Sequence, residues 1–227
     1  MKYPYLLFDA DDTLFDFPKA SARAFSTMCQ THRIPNTPET RQLYHAINLE
    51  LWAAFDRGEV DKAYVTLERY VRFLSALHLD RDPFQCNRDY LTSLGSTVYP
   101  LPYAEEVCQT LHARGHRMYL ITNAVASVQR SRLAGSVFAE LFLDAFISEE
   151  AGAAKPDPAY YRYVRARVPA ITAENTLVIG DSLSTDIRGA NNAHLPCCWF
   201  NPDKNPRPAD LEINYEITDL RQLLQIV

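Results

Sequence analysis

Four short, largely apolar segments, each followed at once by polar residues, constrain the fold of this 227-residue chain most strongly. They are residues 5–8, 117–121, 144–147 and 176–179. From residue 96 onward, such segments alternate with stretches whose apolar residues recur at helical spacing. Strands that alternate with helices are joined by right-handed crossovers and form a parallel sheet. The sequence therefore predicts an α/β fold with a Rossmann-like parallel sheet.

Residues 18–95 differ from the rest of the chain because they show helical spacing only. Asp61 is a candidate N-cap, and Asp82 followed by Pro83 is typical of a helix start. We therefore expect an α-helical cap domain over 18–95, inserted as one unit. The α/β catalytic core would then comprise 1–17 and 96–227.

Composition excludes several classes of protein. The net charge is −5, which disfavours a general nucleic-acid binder because such proteins need a basic surface. Acidic residues interrupt the apolar stretches long before a membrane span accumulates, so we expect no membrane partner. Five cysteines, an odd number without CxxC spacing, indicate a reduced, cytoplasmic chain with buried thiols. A monomer and a dimer are both compatible with the sequence.

Residues able to do chemistry follow each predicted strand. They are Asp9 and Asp11, Thr122 and Asn123, Lys155, and Asp181 and Asp186. Ligands of open α/β sheets bind at the carboxyl ends of the strands, so we expect these side chains to converge. Clustered carboxylates without His or Cys favour Mg²⁺, or another divalent cation such as Mn²⁺. Hydroxyl, lysine and loop N–H groups suit phosphoryl oxygens, which indicates a small phosphorylated metabolite as the partner.

The four motifs resemble those of the haloacid dehalogenase superfamily. They read DADDT at 9–13, TN at 122–123, KPDP at 155–158 and GDSLSTD at 180–186. The helical insert is similar to the cap class found in the small-molecule phosphatases of that superfamily. The resemblance implies an aspartyl-phosphate intermediate, with Asp9 as nucleophile and Asp11 as general acid/base.

The resemblance also implies the remaining site residues. Thr122 and Lys155 would bind phosphate and stabilise the transition state, and Asn123 would bind phosphate beside them. Mg²⁺ would be held by the Asp9 carboxylate, the Asp11 backbone carbonyl and Asp181. Asp186 would orient Lys155 or a metal-bound water, or would replace Asp181 as the direct ligand.

A finer resemblance is to the pyrimidine 5′-nucleotidase branch, through FDADDTLFDF at 8–17, ISEEAGAAKPDP at 147–158, GDSLSTDIRGANNA at 180–193 and CWFNP at 198–202. It implies a nucleoside 5′-monophosphate as substrate, with pyrimidines preferred. The chain departs from the branch at Ala124 and His194, where glycine is usual. At Ala124 we expect the loop around the phosphate to differ from that of the branch, because glycine permits backbone conformations that alanine disfavours.

Alternatives remain at the sequence level. A sugar-phosphate or phosphoglycolate phosphatase shares most of these motifs, and a phospho-acceptor signalling domain uses Mg²⁺, Asp, Thr and Lys on a similar sheet. Thr122 and Asn123 could instead cap the following helix, and Asp186 could be an ordinary first-turn acid. Aromatic residues on or near the cap that could stack on a base are Phe17, Tyr44, Trp52, Phe55 and Tyr64.

Overall fold

The computed structural model describes all residues, 1–227. Its strands form a single parallel sheet in the order β3-β2-β1-β4-β5-β6. The strands are β1 (Tyr5–Phe8), β2 (Arg117–Thr122), β3 (Phe142–Ile147), β4 (Thr176–Gly180), β5 (Cys197–Phe200) and β6 (Tyr215–Ile217). The predicted parallel α/β fold is confirmed.

Nine α-helices accompany the sheet. They are α1 (Phe17–His32), α2 (Pro38–Asp56), α3 (Lys62–Ala76), α4 (Pro83–Gly95), α5 (Ala104–Ala113), α6 (Ala126–Ala134), α7 (Ser148–Ala151), α8 (Pro158–Arg167) and α9 (Arg188–Asn192). Two 3₁₀-helices cover Val137–Glu140 and Leu220–Gln225. A π-helical turn, Leu183–Ile187, precedes α9 directly.

The chain divides into two compact units. The core unit comprises Met1–Pro18 and Val98–Val227, and the helical unit comprises Lys19–Thr97. These limits lie within two residues of the boundaries expected from the sequence. That the helical unit acts as a cap stays a prediction.

The helical unit is organised around buried aromatic rings. Tyr44 packs against Phe25 at a centroid distance of 4.5 Å, and against Tyr70 and Tyr90 at 5.6 and 5.9 Å. Because only 5% of Tyr44 is exposed, its ring belongs to the interior of the unit and is a poor candidate for base stacking. Trp52 is half-buried, and its ring packs edge-on against the ring of Phe55 on α2.

The core unit buries both faces of its sheet. All four residues of β1 are buried, as expected for a parallel strand covered on both sides. The two adjacent cysteines of β5 face opposite sides, since Cys197 packs in one apolar cluster and Cys198 in the other. All five cysteines are free and buried. No helix of the structure is both long and apolar enough to span a bilayer.

Candidate active site

A tight turn after β1 positions the first motif. The backbone N–H of Asp9 donates to the Ile179 carbonyl at 2.8 Å, which ties the end of β1 to β4. Asp12 adopts a positive φ of 62° and its N–H donates to the Phe15 carbonyl at 2.7 Å. Asp tolerates this left-handed conformation better than most residues. The chain therefore reverses immediately beyond the strand and leaves Asp9 at the sheet edge.

Lys155 is the centre of a buried charge network. Its Nζ donates to Asp9 Oδ1 at 2.5 Å, to Asp186 Oδ1 at 2.6 Å and to the Ile121 carbonyl at 3.0 Å. Only 2% of the lysine is exposed. Burial alone lowers the pKa of Lys155, but the negative charges of Asp186 and Asp9 outweigh it and raise that pKa above its ordinary value. The lysine therefore stays charged, with all three of its N–H donors used.

The backbone of Lys155 is fixed by Asn123. The Asn123 amide donates from Nδ2 to the Lys155 carbonyl at 2.8 Å and accepts from the Lys155 N–H at 2.9 Å. This reciprocal pair links the loop after β2 to the loop between α7 and α8. The structure thus uses the Asn123 side chain to position the lysine, whereas the sequence predicted that Asn123 binds phosphate.

Gly180 makes room for Asp186. A Cβ on Gly180 would lie 2.3 Å from the Asp186 Cγ, a distance that no side chain can tolerate. Asp186 is fully buried, and its Oδ2 accepts from the Ser182 N–H at 3.1 Å while Oδ1 accepts from Lys155. The π-helical turn brings this carboxylate back beneath the end of β4. Its two engaged oxygens distinguish it from an ordinary solvent-facing acid of a first helical turn.

Three carboxylates could hold a metal ion together. One oxygen from each of Asp9, Asp181 and Asp186 lies within 4.8 Å of the others. A set of oxygen ligands without nitrogen or sulfur suits Mg²⁺. The Asp181 carboxylate accepts from the Thr13 hydroxyl at Oδ1, 3.1 Å away, whereas Lys155 and the Ser182 N–H occupy both oxygens of Asp186. That difference favours Asp181 as a direct ligand and Asp186 as the partner of Lys155.

The acids of the site repel one another. Burial, and then the negative charge of Asp186, raise the pKa of Asp9, while Lys155 opposes this shift. Burial, Asp186 and Asp12 raise the pKa of Asp181 to about 7. Burial and Asp11 raise the pKa of Asp12 to about 6. A divalent cation would relieve this repulsion, so the electrostatics of the donor set fit a metal.

Thr122 ends β2 and does not cap the next helix. Its hydroxyl accepts from the Ala124 N–H at 3.1 Å, and its own N–H donates to the Tyr160 hydroxyl at 3.1 Å. The N-cap of α6 is Val125, which makes no side-chain capping bond. The capping alternative for Thr122 and Asn123 is therefore wrong.

Asp11 lies outside the three-carboxylate cluster and has partners that the sequence did not predict. Its carboxylate pairs with the buried guanidinium of Arg132 and accepts from Gln129 Nε2 at 2.8 Å. Both partners come from α6. The only signal in the sequence is that two long polar side chains stand three residues apart on the helix that follows Thr122.

A family model for haloacid dehalogenase-like hydrolases matches residues 3–194. The chain belongs to that family. It is therefore an enzyme of the hydrolase class, and the resemblance seen in the four motifs is confirmed. The phospho-acceptor signalling alternative is set aside by this membership.

Individual members of the family resemble the whole chain. The Bacillus subtilis HAD-hydrolase YfnB is 35% identical, over 100% of this chain and 96% of its own length. Its crystal structure, described as bound to magnesium, superposes with a TM-score of 0.93 and covers 100% of this chain and 99% of that one. The helical unit is part of this likeness, because the alignment spans it entirely.

Two relatives carry a substrate in their names. The pyrimidine 5′-nucleotidase PynA of Streptococcus pneumoniae is 30% identical over 99% of this chain and 94% of its own length. The pyrimidine 5′-nucleotidase YjjG of Escherichia coli is 27% identical over 100% of this chain and 99% of its own. Both lie in the branch of haloacid dehalogenase-like hydrolases that the finer sequence resemblance indicated.

Proposed function

We propose that this hydrolase is a Mg²⁺-dependent phosphomonoesterase that acts on nucleoside 5′-monophosphates and prefers pyrimidines. The observation that carries the proposal is the buried Lys155 ammonium held between Asp9 and Asp186, with Asp181 in the same cluster. Such an arrangement can hold a phosphoryl group beside a nucleophile. The nucleotide preference is supported by the names of two relatives that match nearly the full chain.

In the first chemical step, an Asp9 oxygen attacks phosphorus in line and the bond from phosphorus to the ester oxygen breaks. Asp11 gives its proton to the leaving oxygen, so that an alcohol departs. The Lys155 ammonium, whose three N–H donors are engaged by the protein, stabilises the charge on the phosphoryl oxygens through its positive charge, and the Thr122 hydroxyl donates to one of them. In the second step, Asp11 takes a proton from water, the water oxygen attacks phosphorus, and the Asp9 carboxylate is released.

The metal-holding residues would be Asp9, the Asp11 backbone carbonyl and Asp181, with Asp186 positioning Lys155. A divalent cation bound there would supply positive charge that offsets the negative charge of the phosphoryl oxygens. Its charge would also offset the repulsion between the carboxylates of Asp9, Asp181 and Asp186.

The decisive experiment is phosphate release from UMP, CMP, AMP, ribose 5-phosphate and phosphoglycolate, with Mg²⁺ and with excess chelator. We expect UMP and CMP to give the highest kcat/KM and chelator to abolish the activity. Hydrolysis that persists in excess chelator would overturn the metal dependence. A preference for ribose 5-phosphate or phosphoglycolate over UMP would establish the sugar-phosphatase alternative.

We infer that the helical unit supplies base discrimination, because the carboxylate–lysine cluster can hold only a phosphoryl group and a metal. With Tyr44 in the interior, the remaining ring candidates are Phe17, Trp52, Phe55 and Tyr64. We test Trp52, which is half-buried and packs edge-on against Phe55 at a centroid distance of 5.5 Å. Trp52→Ala should lower kcat/KM for UMP, because it removes a stacking contribution of about 1–3 kcal/mol, and should leave kcat/KM for ribose 5-phosphate unchanged.

The matched control for that variant is Phe84→Ala. Phe84 belongs to the helical unit, is 66% exposed and forms none of its ring pairs. We expect the ratio of UMP to ribose 5-phosphate hydrolysis to stay at the wild-type value in this variant. An unchanged ratio in Trp52→Ala as well would show that this ring does not recognise the base.

A further inference from the structure

Two side chains of α6, neither of which belongs to the four motifs, hold the carboxylate of Asp11. Arg132 pairs through Nη1 with Asp11 Oδ1, and Gln129 donates from Nε2 to Asp11 Oδ2 at 2.8 Å. Gln129 is 1% exposed and Arg132 is fully buried. Residues three apart lie on one face of a helix, so α6 directs both at the same carboxylate. Each oxygen of Asp11 thus has its own fixed donor.

The position of Arg132 is not explained by packing. Its guanidinium lies 4.4 Å from the centre of the Phe15 ring, and its Nε and Nη2 have no hydrogen-bond partner. Burying an arginine with two unsatisfied nitrogens is costly. A methionine or leucine would fill the space over Phe15 without desolvating a charge. What an apolar residue could not do is bind the Asp11 carboxylate.

Gln129 connects this pair to the predicted phosphate site. Its Oε1 accepts from Arg132 Nη1 at 3.3 Å, and its Nε2 lies 3.4 Å from the Thr122 hydroxyl. One continuous set of contacts therefore runs from Thr122 through Gln129 to Asp11 and Arg132. The hydroxyl that would bind phosphate and the carboxyl group that would transfer the proton are held by the same amide.

We propose that Arg132 and Gln129 are positioning residues that fix the orientation of the Asp11 carboxyl group toward the leaving oxygen. This inference rests on the proposed phosphomonoesterase function. It places two requirements for proton transfer on α6, outside the residues that contact the metal or the phosphoryl group. The proposed role of Arg132 and Gln129 therefore depends on the leaving group. That of Lys155 does not, because Lys155 would act on the phosphoryl oxygens of every substrate.

The test compares two leaving groups. UMP releases an alkoxide-like oxygen that needs a proton, whereas p-nitrophenyl phosphate releases nitrophenolate, which departs without one. The parameter kcat/KM reports the steps through formation of the aspartyl-phosphate. Arg132→Met should lower kcat/KM for UMP by about 10–100-fold and change p-nitrophenyl phosphate by less than about 3-fold, with Arg132→Lys between.

The ratio of the two substrates is insensitive to misfolding, because inactive molecules reduce both rates equally. Arg130→Met is the matched control, since Arg130 lies on the same helix but is exposed and pairs with Glu150 at 2.7 Å. If Arg132→Met yields no folded protein, Gln129→Leu removes the donor to the other oxygen and must shift the ratio in the same direction.

The outcomes are distinguishable. A selective loss on UMP in Arg132→Met or Gln129→Leu, absent from Arg130→Met, supports the proposal. Equal losses on both substrates, or an unchanged ratio, overturn it while leaving the phosphatase function intact. Absence of hydrolysis of either ester by the wild-type enzyme would refute the proposed function instead.

Discussion

The two units of the molecule bury cations in different ways. In the helical unit, Arg69 is 3% exposed and its three hydrogen bonds go to neutral oxygens of Asn48, Asn87 and Thr66, at 3.0–3.2 Å. Its guanidinium also lies 4.6 Å from the centre of the Tyr90 ring. In the core unit, Lys155 is equally buried but is paired with two carboxylates.

The difference indicates what each buried charge is for. The partners of Arg69 are uncharged and satisfy its hydrogen bonds, so the group joins helices and need not change during a reaction. The partners of Lys155 are acids whose own charges would be redistributed when a phosphoryl group and a metal bind. The comparison therefore predicts that buried charge serves packing in the helical unit and chemistry in the core unit. The predictions below test that division.

The largest expected effect is on Asp9. Asp9→Asn removes the proposed nucleophile, and we expect kcat to fall on the order of 10³-fold or more, since nucleophile removal costs at least that much in other enzymes. The folded state should persist, because the amide still accepts from Lys155 and one repulsive charge is gone. Steady-state kinetics and thermal unfolding measure the two effects. Near-normal turnover would show that Asp9 is not the nucleophile.

The next largest effect compares the loss of kcat/KM in a Lys155 variant with the loss in an Asp186 variant. Lys155→Met keeps the aliphatic stem and removes the charge, so kcat/KM should fall by roughly 10²–10³-fold, as when an oxyanion donor is lost. Asp186→Asn acts through Lys155, and we expect a loss of about 10–100-fold. The opposite order, together with weaker Mg²⁺ binding in Asp186→Asn, would make Asp186 the direct metal ligand.

These residues also show how far the sequence alone could go. Asp9, Lys155 and Asp181 were predictable because each follows a strand, and parallel strands share one carboxyl edge. The pairing of Asp11 with Arg132 was not, because the two residues are 121 positions apart and depend on how α6 packs. The contact between the Asn123 amide and the Lys155 backbone could not be predicted either, because it too depends on how distant segments pack.

The helical unit shows the same limit. Its helix starts were predictable, since Asp61 and Asp82 each accept a hydrogen bond from the first turn of the helix that follows. Helical spacing cannot tell an interior ring from a binding ring, so Tyr44 and Trp52 looked equivalent in the sequence. Only packing separates the buried Tyr44 from the half-buried Trp52.

Arg69 should affect stability without affecting chemistry. Arg69→Leu leaves the amide oxygen of the buried Asn48 without its donor, which costs about 1–3 kcal/mol, and also removes the donor to the half-buried Asn87. We expect the free energy of unfolding to drop accordingly, while the ratio of UMP to p-nitrophenyl phosphate hydrolysis stays at the wild-type value. Denaturant unfolding measures the free energy of unfolding, and steady-state kinetics of the folded protein measure the substrate ratio. A changed substrate ratio would give Arg69 a part in the reaction and break the comparison.

The smallest effect links pH, metal and stability through Asp181. Its pKa is raised from 3.8 to about 7, so between those values the folded protein binds more protons than the unfolded one. Without metal, this group therefore favours the folded state below about pH 4, and its contribution is lost as pH rises through about 7, at up to about 1.4 kcal/mol per pH unit.

Mg²⁺ needs the ionised carboxylate, so it restores the most stability where the proton is absent. We expect saturating Mg²⁺ to raise Tm more at pH 8 than at pH 5.5, by roughly 2–4 °C for each kcal/mol regained. Asp181→Asn is the control, because its neutral side chain should reduce the pH dependence of the increment to the part contributed by Asp9, whose pKa is also raised. An increment that is equal at both pH values in the wild type would show that Asp181 is not proton-linked to the metal. The buried charges of the core unit would then serve packing, as Arg69 does in the helical unit, although their partners are carboxylates.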